Sequence, residues 1–184
     1  MRIAVTGTHG SGKTTLIEDF LDRQSDYAHE EEPYWALAQQ GVAFADGPTI
    51  ADLEEQLRYS CAMTVERATD ERVIFDRSPI DFLAYLDVVG EQEGAPWEPS
   101  GKLMGQIEKA MRVLDLLVFL PLSSPDEIAA GIEYPRLRRA VDRRLKTLLR
   151  EDELDLFGHG RPRLLEIAGT RKRRLALLEA AGEG

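Results

Sequence analysis

The sequence predicts an α/β protein of three layers, in which a parallel sheet of about five strands is covered by helices on both faces. Short, almost wholly apolar runs recur along the chain, as is typical of strands buried on both sides. Longer segments with helical periodicity separate these runs, and such alternation indicates parallel strands joined by helices. The 184 residues suffice for a single domain of this kind, spanning residues 1–184.

The predicted strands and helices alternate in order. Strands are expected at residues 2–6, 27–31, 72–76, 115–120 and 163–168. Helices are expected at residues 13–23, 51–70, 79–88, 102–113, 135–150 and 170–181. The stretch 88–101 is rich in glycine, proline and acidic residues, and it is expected to be a mobile loop inside the domain.

The charge of the chain limits its partners. A formal net charge of −10 disfavours a broad nucleic-acid surface, so no polynucleotide partner is expected. Yet 13 of the 23 lysines and arginines lie after residue 134, which indicates a local anionic ligand. The alternative is a solvated helix face on which basic and acidic side chains are mixed.

Membrane and secretory features are not expected. No apolar run approaches the ~20 residues that a membrane span requires, so no membrane partner is predicted. The N-terminus reaches glycine too early for the apolar core of a signal peptide. Cys61, the single cysteine, lies at helical spacing among apolar residues, which predicts a buried thiol and suits a reducing compartment. These features favour a cytoplasmic location.

The strongest motif is the stretch GTHGSGKT, from Gly7 to Thr14, which fits the pattern G-x-x-x-x-G-K-[ST] between a strand and a helix. Its glycines allow successive backbone N–H groups to turn towards one anion, and the helix N-terminus adds partial positive charge. Lys13 is expected to reach the β- and γ-phosphates, and Thr14 to hold Mg²⁺. The motif therefore predicts ATP and Mg²⁺ as cofactors, with His9 as a spacer. The predicted nucleotide-binding residues here are Gly7, His9, Gly10, Ser11, Gly12, Lys13, Thr14 and Thr15.

A second region of interest is EEEPYW, residues 30–35, where the second strand is expected to end beside the phosphate-binding loop. Ligands collect at the carboxyl ends of the strands in such sheets. A carboxylate there is placed to accept the proton of an acceptor hydroxyl, and Tyr34 and Trp35 to cover a flat ring. The alternative is an acidic loop followed by core aromatic residues.

A third region is FDRSPID, residues 75–81. Asp76 ends an apolar strand and is placed to touch the Mg²⁺ shell or the acceptor. Arg77 beside it offers two parallel donors to a phosphate or to a carboxylate base. The alternative is an ion pair at the strand end. The fourth strand carries its acid, Asp115, at its start, away from the metal, which speaks against a motor-type ATPase.

The helix predicted at residues 135–150 is strongly basic. Its cationic face is expected to belong to a lid of about residues 133–160 that closes over the triphosphate. The alternative is a solvated face paired with the acidic segment EDELD after it. Side chains three or four residues apart share this face, namely Arg136, Arg139, Arg143 and Lys146, with Arg138 and Arg144 towards its sides.

Several of these stretches resemble P-loop kinases of the nucleoside and nucleotide kinase superfamily. EPYW and DRS resemble the Glu-Pro…Trp and Glu-Arg-Ser motifs of deoxynucleoside kinases, and FLPLSSPDEI resembles their fourth strand with the Pro-acid turn into the lid. DRSPIDFLAYL also resembles the Asp-Arg-Gly-Pro-x-Asp segment of small ATPases of the AAA class related to ribosylnicotinamide kinases.

The resemblance implies roles for the matching residues. Glu32 would be the general base on the acceptor hydroxyl, and Arg77 would orient that base and the transferring phosphate. Lid arginines within residues 136–144 would neutralise the triphosphate, with Arg139 and Arg143 assigned to catalysis. The remaining contacts are assigned to Gly169 and Thr170 for adenine, and to Trp35, Gln56 and Asp81 for the acceptor.

Two departures from the family pattern concern the acceptor site. Asp76 stands where deoxynucleoside kinases have Glu, and the spacing from Glu-Pro to Trp is shorter in this chain. Three consecutive glutamates also leave the base open among Glu30, Glu31 and Glu32.

The function predicted from these observations is transfer of the γ-phosphoryl group of Mg-ATP to a hydroxyl of a nucleoside or nucleoside-like small molecule. Alternatives are a kinase for a nucleoside monophosphate or another metabolite, an NTP-hydrolysing regulatory ATPase, and a nucleotide-sensing module. A monophosphate acceptor would need additional arginines, for which Arg58 and Arg67 are candidates. The helix at 51–70 leaves a homodimer open, although no apolar excess requires one.

Overall fold

The computed structural model describes residues 1–123, 133–158 and 162–182. Five parallel strands form one sheet in the order β2-β3-β1-β4-β5. The strands are β1 (Arg2–Thr6), β2 (Ala28–Glu30), β3 (Val73–Asp76), β4 (Leu116–Phe119) and β5 (Arg163–Glu166). The helices of the described residues are α1 (Lys13–Leu21), α2 (Pro33–Gln39), α3 (Ile50–Glu66), α4 (Pro79–Gln92), α5 (Gly101–Val113), α6 (Pro135–Glu151) and α7 (Arg171–Gly182).

Two hydrophobic cores lie on opposite faces of the sheet. Alternate residues of β1 point to opposite sides, so Ala4 belongs to one core, and Ile3 and Val5 belong to the other. Helices α3, α4, α5 and α6 contribute to the first core, and α1 and α7 cover the second. The predicted three-layer α/β fold with a parallel sheet is therefore confirmed.

The strand register brings three predicted site segments to one edge of the sheet. Val5 of β1 lies beside Asp76 of β3, and Glu30 of β2 lies beside Phe75. All strands are parallel, so the loop after β1, the end of β3 and the EEEPYW segment after β2 meet at the carboxyl edge.

Two of the predicted helices differ from the structure by more than two residues and one helix was not predicted, while the other boundaries differ by two residues or fewer. Helix α3 begins one residue earlier, at Ile50, and gives way at Arg67–Thr69 to a 3₁₀ turn. Helix α4 continues through Gln92 into the stretch predicted to be a loop. Helix α2 was not predicted, because the polar EEE run before it obscured its short apolar side.

The remaining predictions concern the single cysteine, membrane-spanning helices and two segments that the structure does not describe. Cys61 is buried as predicted, and burial raises the pKa of its thiol to about 12. No helix in the described parts of the chain is long and apolar enough to span a bilayer. Part of the predicted Pro-acid turn (124–128) and the end of the predicted lid (159–160) lie outside the described residues.

Candidate active site

The phosphate-binding loop joins β1 to α1 in the geometry that its glycines require. A Cβ atom on Gly7 would lie 2.9 Å from the carbonyl oxygen of Leu120, closer than a side chain tolerates. Gly12 caps α1 with a φ of 92°, in the left-handed region that favours glycine. The loop can therefore wrap closely around a ligand at the N-terminus of α1.

Lys13 lies within this loop with its ammonium group buried. Its Nζ donates to the carbonyl oxygen of Thr8 at 3.3 Å, and the residue is only 5% exposed. Burial lowers the pKa of Lys13, and the positive charge of Arg77 lowers it further. Within the described parts of the chain this buried ammonium has one long hydrogen bond, so it is placed to bind an anion such as a phosphate.

Asp81 connects the phosphate-binding loop to the N-terminus of α4. Its Oδ1 accepts from the backbone N–H of Gly7 at 2.9 Å, and its Oδ2 accepts from the backbone N–H of Ser78 at 2.9 Å, which caps α4. Asp81 was predicted to contact the acceptor; its side chain is fully buried and does not line the cavity that opens beside Glu32 and Arg77. The structure instead makes it an anchor between the loop and α4.

Helix α6 reaches the phosphate-binding loop through Arg138. Its Nε donates to the carbonyl oxygen of His9 at 2.8 Å, and its Nη2 donates to that of Gly10 at 3.1 Å. Arg139 and Arg143, the predicted lid residues, are exposed on another face of α6. Arg138 was predicted only to lie at the side of the basic face. Its spacing from Val141 nevertheless places it on the apolar stripe of α6, and this spacing indicates a side chain that faces inwards.

Thr14 and Asp76 come together at the predicted metal site. The Thr14 hydroxyl donates to Asp76 Oδ2 at 2.9 Å. Asp76 Oδ1 is buried, and it has no hydrogen-bond partner among the described residues. Burial raises the pKa of Asp76. The positive charge of Lys13 lowers this pKa, and the negative charge of Glu32 raises it. An unpartnered carboxylate oxygen beside a hydroxyl fits Mg²⁺, which prefers oxygen ligands.

Asp115 directly precedes β4, so it lies at the amino ends of the strands, opposite to the phosphate-binding loop. Its Oδ1 forms a 2.9 Å ion pair with Arg2 at the start of β1. It is therefore remote from Thr14 and Asp76, as its place at the start of a strand predicts.

Arg77 and Glu32 form a half-buried ion pair beside the loop. Arg77 Nε lies 2.5 Å from Glu32 Oε1, and its Nη1 donates to the carbonyl oxygen of Gly7 at 3.3 Å. The guanidinium carbon also lies 5.4 Å from the centre of the Tyr85 ring. Arg77 has a φ of 85°, a strained value for a residue with a Cβ, and these contacts hold it there.

Glu32 is the glutamate that the structure brings to this position. Although burial opposes ionisation, the charges of Arg77 and Lys13 hold the pKa of Glu32 below its ordinary value. Glu30 instead forms an ion pair with Arg67, and Glu31 accepts from Gln39 at 3.0 Å on the surface. The ionised form of Glu32 is thus favoured, and the ionised carboxylate is the form in which a general base acts.

A cavity of about 360 Å³ opens beside Glu32 and Arg77. Gln56, which was predicted to contact the acceptor, is among its lining residues, and Tyr34 stacks on Phe44 at 4.7 Å between ring centres. Trp35 was also predicted to contact the acceptor, but it is 59% exposed and lines a separate cavity with Thr14 and Asp76. Tyr34 and Phe44 therefore form a stacked pair among the aromatic residues that line this cavity. Phe44 was missed because it follows α2 in an irregular segment.

The opposite side of the loop offers a second pocket, of about 220 Å³. Gly169 and Thr170 line it, where adenine was predicted to lie. Arg174 joins the two sides of this pocket, since it donates to the carbonyl oxygens of Ser11 at 2.8 Å and Gly169 at 2.9 Å. Sequence reasoning missed Arg174, whose only signal was its place in a basic run.

His9 connects the loop to the acceptor side. Its Nδ1 lies 2.8 Å from the Tyr85 hydroxyl, and its Nε2 lies 2.8 Å from the carbonyl oxygen of Glu133. Burial lowers the pKa of His9, and the positive charges of Arg77 and Arg138 lower it further, whereas the hydrogen bond to the Glu133 carbonyl raises it. A neutral imidazole bonded at both nitrogens suits the predicted spacer.

Comparison with known proteins gives a family and a fold. A family model described as an AAA domain matches residues 2–174. A search of curated proteins finds no significant match. Deoxyadenosine kinase from M. mycoides with bound dATP is similar in structure, with a TM-score of 0.65 and 14% identity, and each chain is covered over 100%.

Two other solved structures are similar. Thymidylate kinase from Candida albicans has a TM-score of 0.60 and 15% identity, with 99% of this chain and 90% of that chain covered. The NadR protein in complex with NAD and AMP-PNP has a TM-score of 0.66 and 17% identity, with 99% and 48% covered. The chain therefore belongs to the AAA-domain family that matches residues 2–174, and it has the P-loop fold of nucleoside and nucleotide kinases.

Proposed function

We propose that this protein is an ATP-dependent phosphotransferase whose acceptor is the hydroxyl of a nucleoside or nucleoside-like small molecule. The observation that carries the proposal is the position of the Glu32–Arg77 pair. It lies between the phosphate-binding loop, which Arg77 contacts at Gly7, and the aromatic-lined cavity. A carboxylate base alone would serve hydrolysis as well as transfer, but a base that also borders a cavity large enough for an organic acceptor favours transfer.

The proposed step moves one phosphoryl group in line. The acceptor hydroxyl oxygen forms a bond to the γ-phosphorus of ATP, the bond from that phosphorus to the β,γ-bridging oxygen breaks, and ADP leaves. Glu32 accepts the hydroxyl proton. Lys13 and the backbone N–H groups of the loop stabilise the charge on the phosphate oxygens.

Thr14 and Asp76 would hold Mg²⁺ in this scheme. The ion would neutralise charge on the β- and γ-phosphate oxygens. Asp76 is not needed as a base, because Glu32 supplies that role. Arg77 orients Glu32 and, from its bond to the Gly7 carbonyl, keeps it close to the loop.

The similar structures support the same reaction class. Deoxyadenosine kinase and thymidylate kinase are kinases by name, and they differ in whether the named acceptor is a nucleoside or a nucleotide. The fold that they share with this chain is compatible with either acceptor, so the choice of acceptor depends on the residues that line this cavity.

The test is ATP consumption by the intact protein against a panel of nucleosides, nucleoside monophosphates and small hydroxylated metabolites. We expect one acceptor class to stimulate turnover. Glu32→Gln should lower that stimulated rate by about 10²- to 10⁴-fold, the range for general-base catalysis. Glu31→Gln is the matched control, since Glu31 bonds to Gln39 at the surface and should keep most of the rate. Lys13→Ala should abolish turnover.

A second candidate function is ATP hydrolysis by a regulatory ATPase, which the match to the AAA-domain family favours. In that case the panel would be flat, hydrolysis would proceed without an acceptor, and Glu32→Gln would leave its rate unchanged. Lys13→Ala would still abolish it, because both functions need the triphosphate bound.

A further inference from the structure

The imidazole of His9 points out of the phosphate-binding loop, towards α4 and the start of α6. Its Nε2 lies 2.8 Å from the carbonyl oxygen of Glu133, and its Nδ1 lies 2.8 Å from the hydroxyl oxygen of Tyr85. A carbonyl oxygen only accepts hydrogen bonds, so Nε2 carries the proton and donates it to Glu133. In the neutral ring that the lowered pKa of His9 favours, Nδ1 then accepts from the Tyr85 hydroxyl. The two contacts therefore fix both the tautomer and the orientation of the ring.

The backbone of His9 is bonded to the same two elements. Its N–H donates to the Tyr85 hydroxyl at 3.1 Å, and its carbonyl oxygen accepts from Arg138 Nε at 2.8 Å. Every polar group of His9 thus has a partner outside the loop, on α4 or at the start of α6. A residue that served only as a spacer would need none of these contacts. His9 therefore joins the loop to two elements that border the acceptor cavity.

The Nδ1 contact leads to the proposed base. Tyr85 lines the acceptor cavity, and the guanidinium carbon of Arg77 lies 5.4 Å from the centre of its ring. A cation above the face of an aromatic ring is attracted to it. Since His9 holds the Tyr85 hydroxyl, it fixes the ring on which Arg77 rests. Arg77 in turn pairs with Glu32, so the position of that carboxylate depends on the same support.

The Nε2 contact leads to the mouth of the acceptor cavity. The residue after Glu133 is Tyr134, which precedes α6, lines the cavity and is 48% exposed. A Cβ atom on Gly47 would lie 3.1 Å from the Tyr134 hydroxyl oxygen, so the ring reaches across to the segment before α3. Tyr134 has a φ of 49°, a strained value that persists only where neighbouring contacts hold it. The hydrogen bond from His9 to the preceding carbonyl is one such contact.

We propose that His9 is a positioning residue for phosphotransfer, with one task at each ring nitrogen. From Nε2 it holds Tyr134 across the mouth of the acceptor cavity, and from Nδ1 it holds Tyr85 beneath Arg77. This proposal rests on the proposed function, because it assigns a role at the same site. His9 belongs to the loop that binds the triphosphate, so it connects the donor site both to the binding of the acceptor and to the placement of the base.

Amide side chains separate the two tasks. In His9→Asn the amide oxygen takes the place of Nδ1 and can accept from Tyr85, but the side chain is too short to reach Glu133. In His9→Gln the amide nitrogen takes the place of Nε2 and can donate to the Glu133 carbonyl, while the contact with Tyr85 is lost. Each variant therefore keeps one contact and removes the other, and His9→Ala removes both.

The kinetic constants are measured on the intact protein with the acceptor that stimulates turnover. His9→Asn should raise KM for the acceptor about three- to tenfold with kcat nearly unchanged, because Tyr134 is released. His9→Gln should lower kcat about three- to tenfold with that KM nearly unchanged, because the Arg77–Glu32 pair loses its support. His9→Ala should show both losses. KM for ATP should stay close to that of the parent, since the His9 carbonyl keeps its bond from Arg138.

Tyr85→Phe is an independent test of the task at Nδ1. It keeps the ring but frees it from His9, so it should reproduce the lower kcat of His9→Gln. Combined with His9→Gln it should lower kcat no further, because both substitutions break the same contact. Tyr59→Phe is the matched control: the Tyr59 hydroxyl accepts from Gln40 at 3.4 Å, away from the cavity lining, and its loss should leave kcat unchanged.

A measurement without any acceptor tests the task at Nε2. The backbone N–H of Arg138 donates to the Tyr134 carbonyl at 3.0 Å, so its hydrogen exchange reports whether the first turn of α6 is held. In the ligand-free protein, exchange at Arg138 followed by NMR should be about three- to tenfold faster in His9→Ala and His9→Asn, and unchanged in His9→Gln. The amides of β1 should exchange as in the parent, which excludes a general loss of stability.

The outcomes separate this proposal from the function on which it rests. If the His9 variants keep both kinetic constants, or if Asn and Gln give the same losses, the positioning role is overturned and the proposed phosphotransfer stands. If no acceptor stimulates turnover, the phosphotransfer fails and the role of His9 in it fails too. Equal exchange at Arg138 in the parent and in His9→Ala would overturn the task at Nε2, whatever the kinetic result.

Discussion

The donor side and the acceptor side of this sheet edge are built in different ways. The phosphate-binding loop is held through its backbone by side chains that are distant in sequence. Asp81 accepts from one of its N–H groups, and Arg77, Arg138 and Arg174 donate to its carbonyls. The acceptor cavity is instead lined by side chains from α2, from the segment before α3, and from α3 and α4. Asp52 fixes that segment with two hydrogen bonds.

This difference separates two tasks. A triphosphate is the same in every reaction, so backbone N–H groups fixed in advance can bind it at little cost in reorganisation. An acceptor is recognised by the charge and shape of particular side chains, and these can differ between proteins with one fold. Changes on the donor side should therefore weaken every activity, while changes on the acceptor side should alter which molecule is used.

Asp76→Asn should have the largest effect among the substitutions compared here, because it removes the charge of the carboxylate that we propose as a ligand of Mg²⁺ on the donor side. We expect kcat to fall by about 10²- to 10³-fold with every acceptor, and the Mg²⁺ concentration for half-maximal rate to rise. A steady-state titration with Mg²⁺ measures both. A loss confined to one acceptor would contradict the assignment of Asp76 to the donor side.

The same variant should behave differently in stability measurements without metal. Burial raises the pKa of Asp76 in the folded protein, so the charged form of its carboxyl group destabilises the fold. The neutral form therefore contributes to stability below the pKa of Asp76 in the unfolded chain, and this contribution is lost as the pH rises through the pKa in the folded protein. In EDTA, Asp76→Asn should therefore lose less unfolding free energy than the parent between pH 4 and pH 7. Urea denaturation across this range tests the sign, and an equal loss would contradict it.

Arg138→Ala tests the donor-side scaffold and should have the second-largest effect. It removes two charged hydrogen bonds from the carbonyls of His9 and Gly10, and the unfolding free energy should fall by about 3 kcal/mol. A loosened loop should also raise KM for ATP by about tenfold. Chemical denaturation and ATP titration measure the two quantities.

Arg139→Ala is the matched comparison on the same helix. Arg139 is exposed, so its loss should change the unfolding free energy by less than about 0.5 kcal/mol. If Arg139 acts in a closing lid, as its place on the basic face predicts, kcat should fall about tenfold while stability is retained. Full activity in Arg139→Ala would remove this residue from the proposed lid.

The donor side was the more predictable from the sequence. The motif from Gly7 to Thr14 is contiguous, and its flanking strand and helix follow from local periodicity. Asp76 and Glu32 were predictable because parallel strands place their carboxyl ends at one edge. Glu32 could be separated from its neighbours only by the structure, which turns Glu30 to Arg67 and leaves Glu31 on the surface.

The supports and the acceptor lining were not predictable in the same way. Arg138 and Arg174 reach the loop across more than 120 residues of sequence, and such contacts leave no local pattern. Asp81 was assigned to the acceptor through the resemblance of DRSPID to a family segment, whereas in the structure it caps α4 and binds the N–H of Gly7. Phe44 lies in an irregular segment, where no periodicity indicates which side chains face inwards.

The smallest expected effects distinguish Tyr34 from Trp35 on the acceptor side. Tyr34 stacks on Phe44 and lines the cavity, so Tyr34→Ala should raise KM for the acceptor by about three- to tenfold. Trp35 is mostly exposed and contacts Tyr34 edge-on at 5.0 Å between ring centres. Trp35→Ala should therefore change that KM by less than about twofold. Acceptor titrations at saturating ATP, with KM for ATP as the control, compare the two. A larger effect for Trp35 would mean that the acceptor lies on the Thr14 side of Glu32, in the separate cavity that Trp35 lines.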